Sequence, residues 1–191
     1  MERNTYRIVL ASNSPRRKEL LAGLDLDFTI RVMDDIDESY PDDMPANDVA
    51  EYIATKKADA YRATLATDEL LITADTVVIC GNQVLGKPKD ANDARQMLTL
   101  LSGKTHHVVT GVCLTTTRRQ RHFAVTTAVT FDKLSTADID YYISHYKPFD
   151  KAGAYGIQEW IGYVGVTKLE GSYFNVMGLP VQRIFKEIRQ L

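Results

Sequence analysis

The 191-residue sequence carries 23 Lys and Arg against 25 Asp and Glu, a net charge of −2, and 45% hydrophobic residues. That length fits one domain spanning 1–191 with a sizeable core, or one whose two lobes share a central cleft. The near-neutral balance gives no electrostatic reason to bind nucleic acid or an anionic membrane, so any anionic ligand must meet a local cluster of basic residues.

Cys80 and Cys113 each lie in an apolar, strand-like run and belong to no CxxC or Cys/His set, so they read as buried, reduced thiols rather than zinc ligands. At the N-terminus, MERNTYRIVLAS offers only Ile8 to Ala11 as an apolar stretch, too short for the core of a secretion signal. No window approaches the roughly 18 apolar residues of a membrane span. The expectation is a cytoplasmic protein.

In chain order, Ile8–Ala11 predicts a short buried strand, and Ser12-Asn13-Ser14-Pro15 leads into a helix from Arg16 to about Leu24. Phe28 to Val32 predicts a strand, followed by an exposed acidic loop broken by Pro41 and Pro45. Asn47 is placed to cap a helix running to about Leu65. Leu70–Cys80 is β-branched and apolar, the pattern of a strand buried on both faces, and Gly81-Asn82 turns it back towards Val84-Leu85. Asp90 caps the next helix, with Gly103 as its stop.

Val108–Thr117 and His122–Phe131 predict a hairpin joined by Arg118-Arg119-Gln120-Arg121. Ser135-Thr136-Ala137-Asp138 is a capping-box variant opening a helix to about His145. Lys147 to Gly156 is a loop, Tyr163–Leu169 a strand, and Val181 to Arg189 a closing helix. Partly alternating strands and helices with an antiparallel hairpin predict an α/β fold: a mixed, twisted sheet flanked by helices.

Three features sit badly with a purely structural role. Ser14-Pro15 is a strong helix start, yet Arg16, Arg17 and Lys18 fill a first turn where the helix dipole favours acidic residues. With the hydroxyls of Ser12 and Ser14 and the free backbone N–H groups, that turn is suited to a phosphate; a solvated basic patch is the alternative. Asp75 interrupts an apolar strand, and a buried carboxylate must be paired, protonated or bound to a cation. In a cleft holding Mg²⁺ and phosphate it would serve as ligand and general base.

Gly81 to Lys87 matches the start of a P-loop, but Pro88 replaces the metal-binding Ser or Thr, and Val84-Leu85 suit a strand. What remains is Lys87, held after a strand as a point charge for phosphate. Other features leave alternatives open. Lys56 and Lys57 both border the apolar stripe of their helix, so spacing does not choose between them. The acidic loop Asp34-Asp35-Ile36-Asp37-Glu38 is either solvated or supplies a metal ligand. His106, His107, His122 and His145 fit no ligand spacing and read as surface or edge residues.

Six blocks in order, LASNSPRRKELL (10–21), ADTVV (74–78), LGKP (85–88), LSGKTH (101–106), FDKAGAYGIQ (149–158) and GSYFNVMGLP (171–180), resemble the Maf family of nucleotide pyrophosphatases nearly end to end. The resemblance implies a metal-dependent pyrophosphatase with Asp75 as catalytic carboxylate and metal ligand, and Glu38 as second acidic ligand for Mg²⁺ or Mn²⁺. It further implies that Ser12, Ser14, Arg17, Lys57 and Lys87 gather the triphosphate, so that Lys57 is preferred over Lys56.

Arg16, Thr76 and Gln158 resemble the branch acting on dTTP and UTP, rather than the 7-methyl-GTP branch, which has tryptophan and glutamine at the first two places. At Glu159-Trp160 the chain departs from the glycine-rich sequence that often follows GIQ, which bears on the shape of the base pocket. The implied role is house-cleaning of surplus or modified pyrimidine nucleotides, by a homodimer. The other readings are a pyrophosphatase of different base preference and a septum-linked regulatory nucleotide-binding protein.

Overall fold

The computed structural model describes residues 6–191; residues 1–5, part of the segment read for a secretion signal, lie outside the described residues. The elements are β1 (Arg7–Leu10), α1 (Pro15–Ala22), β2 (Phe28–Ile30), α2 (Val49–Tyr61), β3 (Glu69–Cys80), β4 (Gln83–Leu85) and α3 (Ala91–Leu101). They continue with β5 (Thr105–Thr115), β6 (Gln120–Phe131), α4 (Thr136–Tyr146), α5 (Trp160–Gly165), β7 (Val166–Glu170), α6 (Tyr173–Met177) and α7 (Val181–Ile188).

The strands form a seven-stranded mixed sheet in the order β2-β1-β3-β5-β6-β7, with β4 paired to β3. β1 runs parallel to β2 and β3, while β3–β4 and β6–β7 are antiparallel. The mixed α/β expectation is met. Among the described residues no helix is long and apolar enough to cross a membrane.

The chain divides into two compact units, one comprising the chain up to Asp75 with Thr110–Val125 and Gly178–Leu191, the other Thr76–Val109 with Thr126–Met177. In the first, Val9, Ala54, Ala58, Tyr61, Leu71 and Cys113 form a core cluster. The apolar positions of α2 recur at helical spacing, and Ala50, Ile53, Ala54, Ala58 and Tyr61 are all buried. Two contacts seat this helix. The Thr73 hydroxyl of β3 donates to the Ala54 carbonyl at 2.7 Å. Gly111 of β5 lies so close that an added Cβ would stand 2.3 Å from the Ala50 carbonyl carbon.

In the second unit α3 and α4 pack on a cluster including Leu98, Leu101, Val108, Phe131, Tyr142 and Ile161. Burying each such side chain contributes about 1.5–3 kcal/mol. Local start signals are as the sequence predicts. Ser14 caps α1, Asp90 caps α3 by accepting from Asp93 N–H, and Ser135 with Asp138 forms a complete capping box.

Other expectations need correcting. Asn47 caps nothing: it lies inside a 3₁₀ turn, Ala46–Asp48, that opens after Pro45. Residues 163–165 are not strand but the end of α5, because Ile161 and Gly165 are buried one turn apart while Tyr163 is exposed. Gly162 permits this turn, since a Cβ there would meet the Ile157 carbonyl oxygen at 1.8 Å. His106 is not a surface or edge residue: it is fully buried, with Nε2 2.7 Å from the Tyr155 hydroxyl and Phe131 and Tyr155 against its ring. Burial pushes its pKa down to about 4, and neighbouring His107 acts in the same direction. Cys80 and Cys113 are buried and free, as expected.

Candidate active site

The first unit gathers most of the residues singled out in the sequence. At the start of α1, the Ser14 hydroxyl accepts from Arg17 N–H at 3.4 Å, and the buried Ser12 hydroxyl accepts from Ser14 N–H at 3.2 Å. The Arg17 side chain does not run into solvent. Its Nε donates to the Gly178 carbonyl at 2.9 Å and Nη1 to the Ala74 carbonyl at 2.8 Å, which fixes the guanidinium beside the residue preceding Asp75. Burial lowers the pKa of Arg17, Asp75 and Glu38 oppose the shift, and Arg16 adds to it. Those couplings place Arg16, Glu38 and Asp75 within electrostatic reach of Arg17.

Asp75 lies in the middle of β3. Of the 12 residues of that strand, only Asp75 and Thr76 are partly exposed. The carboxylate is paired, as burial demands: Lys57 Nζ lies 2.8 Å from Asp75 Oδ1 and 2.9 Å from Glu38 Oε1. Each side chain of the Lys57–Asp75 pair is 14% exposed, so the pair is better shielded from water than a surface ion pair. The structure therefore separates the two lysines that spacing could not. Lys56 turns the other way, to Asp37 Oδ2 at 2.6 Å and the Ser39 carbonyl at 2.9 Å. Its hydrogen bond, joined by those from Ser39, holds the Asp37 carboxyl well below the usual carboxylate range. Lys56 thereby ties down the acidic loop on either side of Glu38.

Thr76, Lys87 and Gln158 belong to the second unit. Thr76 follows Asp75 in β3, so the two side chains project to opposite faces of the sheet. Lys87 is exposed between β4 and α3, next to the buried Pro88. Gln158 is half-buried in a turn after a 3₁₀ segment, Ala152–Ala154, and its Oε1 is buried with no partner among the described residues.

The Maf-like protein family model matches residues 7–191. The chain belongs to the Maf family. Among curated relatives, the dTTP/UTP pyrophosphatase of Phocaeicola vulgatus is 59% identical over 186 residues, covering 97% of this chain and 96% of that protein. The dTTP/UTP pyrophosphatase of Bacteroides thetaiotaomicron is 54% identical over 97% of this chain and 96% of its own. That of Flavobacterium johnsoniae is 48% identical, covering 97% of this chain and 95% of its own.

The donor chemistry of this site, two carboxylates facing one cation, fits a divalent metal. Asp75 and Glu38 already share one positive charge, the Lys57 ammonium, and Mg²⁺ is commonly held by one or two carboxylates together with substrate phosphates. Among the described residues no group of three or more His, Cys, Asp or Glu is arranged to hold a metal, so a cation here depends on this pair and on substrate oxygens. Three residues around Gln158 were not singled out from the sequence as site residues: Tyr142, Lys151 and Glu159. Lys151 lies in the FDKAGAYGIQ block and pairs with Asp150 Oδ1 at 2.8 Å and with Glu159, the residue after that block, while Tyr142 reaches Glu159 from α4, a link that sequence spacing does not give.

Proposed function

We propose that residues 1–191 act as one catalytic domain that hydrolyses dTTP and UTP, and modified uridine triphosphates, to the nucleoside monophosphate and pyrophosphate. The observation that carries this reading is the Lys57 ammonium shared between Asp75 and Glu38, in the same unit as an α1 N-terminus bearing Arg16 and Arg17. Those five side chains supply three cations and two carboxylates, an excess of positive charge suited to a polyanion. The names of the curated relatives agree with this substrate class.

In this mechanism Asp75 accepts a proton from a water molecule whose oxygen forms a bond to the α-phosphorus. The bond from the α-phosphorus to the bridging oxygen breaks, and pyrophosphate leaves with that oxygen. Arg17, Lys57 and Lys87 neutralise the charge gathering on the leaving group, while the Ser12 and Ser14 hydroxyls and the first N–H groups of α1 orient phosphate oxygens. Arg17 is pre-oriented by its two backbone acceptors, so it needs little reorganisation when phosphate arrives. Asp75 and Glu38 would hold Mg²⁺ or Mn²⁺, which supplies Lewis-acid polarisation and further charge neutralisation when bound.

Arg16 and Thr76 tune substrate choice. Gln158 reads the base, because its amide both donates and accepts and its Oε1 is buried without a donor among the described residues.

Product analysis with dTTP, UTP, CTP, GTP and 7-methyl-GTP, with and without Mg²⁺ or Mn²⁺, tests the proposal. The expected result is metal-dependent monophosphate and pyrophosphate from dTTP and UTP. Preference for 7-methyl-GTP would overturn the roles of Arg16, Thr76 and Gln158, and no turnover of any nucleotide would overturn the enzyme reading.

A further inference from the structure

The turn carrying Gln158 rests on partly and fully buried polar groups that the mechanism above leaves unused. Gly156 N–H donates to the Tyr142 hydroxyl at 3.0 Å, and that hydroxyl donates in turn to Oε2 of Glu159. The other carboxylate oxygen of Glu159 pairs with Lys151 Nζ at 3.1 Å. Glu159 N–H closes the turn onto the Gly156 carbonyl at 3.0 Å, leaving Ile157 and Gln158 at its centre.

Tyr142 is fully buried, and the Lys151 and Glu159 side chains are only 9% and 19% exposed. Ionised groups held this far from water are costly unless paired: Glu159 has Lys151, and Lys151 also has Asp150 Oδ1 at 2.8 Å. Glu159 and Gln158 also share one support. A Cβ added at Gly156 would stand 3.0 Å from Glu159 Cδ and 3.1 Å from Gln158 Nε2, so carboxylate and amide pack against the same glycine.

We infer that Glu159, clamped by Tyr142 and Lys151, is a positioning residue that fixes the Gln158 amide and thereby sets preference for a pyrimidine ring presenting an N–H donor between two carbonyls. The inference rests on the base-reading role of Gln158. Uracil and thymine carry that N–H donor, which matches the buried Oε1, and a flanking carbonyl, which matches Nε2. Cytosine presents a ring acceptor and an exocyclic amino group instead, and would need the amide rotated by half a turn. A loosely held glutamine could rotate and accept either base. One held against Gly156 by a clamped neighbour leaves unpaired polar groups facing the wrong base, which is how hydrogen-bonding sites reject analogues. The chain's departure from glycine-rich sequence after GIQ thus gains a role: Glu159 brings to the turn a side chain that glycine lacks.

The test measures kcat and KM for UTP, dTTP and CTP, together with thermal unfolding, in the wild type and in Glu159→Ala, Glu159→Gln and Tyr142→Phe. Glu159→Ala and Tyr142→Phe should raise KM for UTP and dTTP about tenfold with kcat within about twofold, and shrink the preference over CTP by a similar factor. Glu159→Gln, which retains an acceptor for Lys151 and a hydrogen-bonding partner for Tyr142, should recover most of the loss.

Folded variants with an unchanged UTP-to-CTP ratio would overturn the inference. So would a loss in which kcat and melting temperature fall together and the glutamine variant gives no recovery. If Glu159→Ala does not fold, Glu159→Gln and Tyr142→Phe decide: a ratio unchanged in Tyr142→Phe overturns the inference, and one that shrinks there but is kept by Glu159→Gln supports it. A wild-type enzyme indifferent to UTP and CTP would instead overturn the base-reading role of Gln158, and this inference with it.

Discussion

Replacing Asp75 with Asn removes charge and basicity while keeping the shape of the side chain. The carboxylate accepts from Lys57 Nζ at 2.8 Å, and Lys57 has a second carboxylate, Glu38, at 2.9 Å. An asparagine oxygen still accepts from Lys57, so the stability lost is the difference between a charge-assisted and a neutral hydrogen bond, about 1 kcal/mol. Residual solvent at the pair and the continuing Glu38 contact reduce it further. For a chain of this size, a loss of that order lowers Tm by only about 2–4 °C.

Catalysis should respond quite differently. Removing a positioned general base costs about 10²–10⁴ in rate, and a thousandfold fall corresponds to about 4 kcal/mol in the barrier. The assay is pyrophosphate release from saturating UTP with Mg²⁺, run beside guanidinium unfolding of the same preparation. A folded Asp75→Asn variant with kcat within about tenfold of wild type would refute the assignment, since no general base can be lost so cheaply.

Two further predictions follow from packing and burial. Gly111→Ala places a methyl group 2.3 Å from the Ala50 carbonyl carbon and Glu51 nitrogen, both backbone atoms, so α2 must shift. The expected cost is about 1–3 kcal/mol with reduced turnover, because Lys57 rides on α2, and an unchanged Tm would refute the close approach. His106 carries a folded pKa of about 4 against an ordinary 6.5, so as pH falls the unfolded chain takes up a proton that the folded chain refuses. Stability should therefore drop by about 2 kcal/mol between about pH 7 and about pH 5, with the loss complete below about pH 4. His106→Gln should flatten that slope in denaturant unfolding; equal slopes in variant and wild type would exclude His106 as its source.

What the sequence alone determined was mostly local. Ser14-Pro15, Asp90 with Asp93, and Ser135 with Asp138 announced three helix starts because each cap joins residues three apart or fewer. The apolar run around Asp75 announced a buried strand, and the carboxylate's presence there demanded a partner. Gln158 and Glu38 took their roles from resemblance alone, since nothing in their own spacing assigned them chemistry.

Tertiary structure decided which partner Asp75 has. Lys56 and Lys57 are adjacent at the border of one helix, and only the packing of α2 through Thr73 and Gly111 turns Lys57 to Asp75 and Lys56 to Asp37. It likewise carried Arg17 to the carbonyls of Ala74 and Gly178, 57 and 161 residues away in the chain. It buried His106 against Tyr155, made a helical turn of Trp160–Gly165, and joined Tyr142, Lys151 and Glu159 behind Gln158. Caps and strand patterns are written within a few residues because the hydrogen bonds and periodicities that create them span only a few residues. Ion pairs and clamps between distant segments depend on how whole elements pack, and no local spacing encodes that.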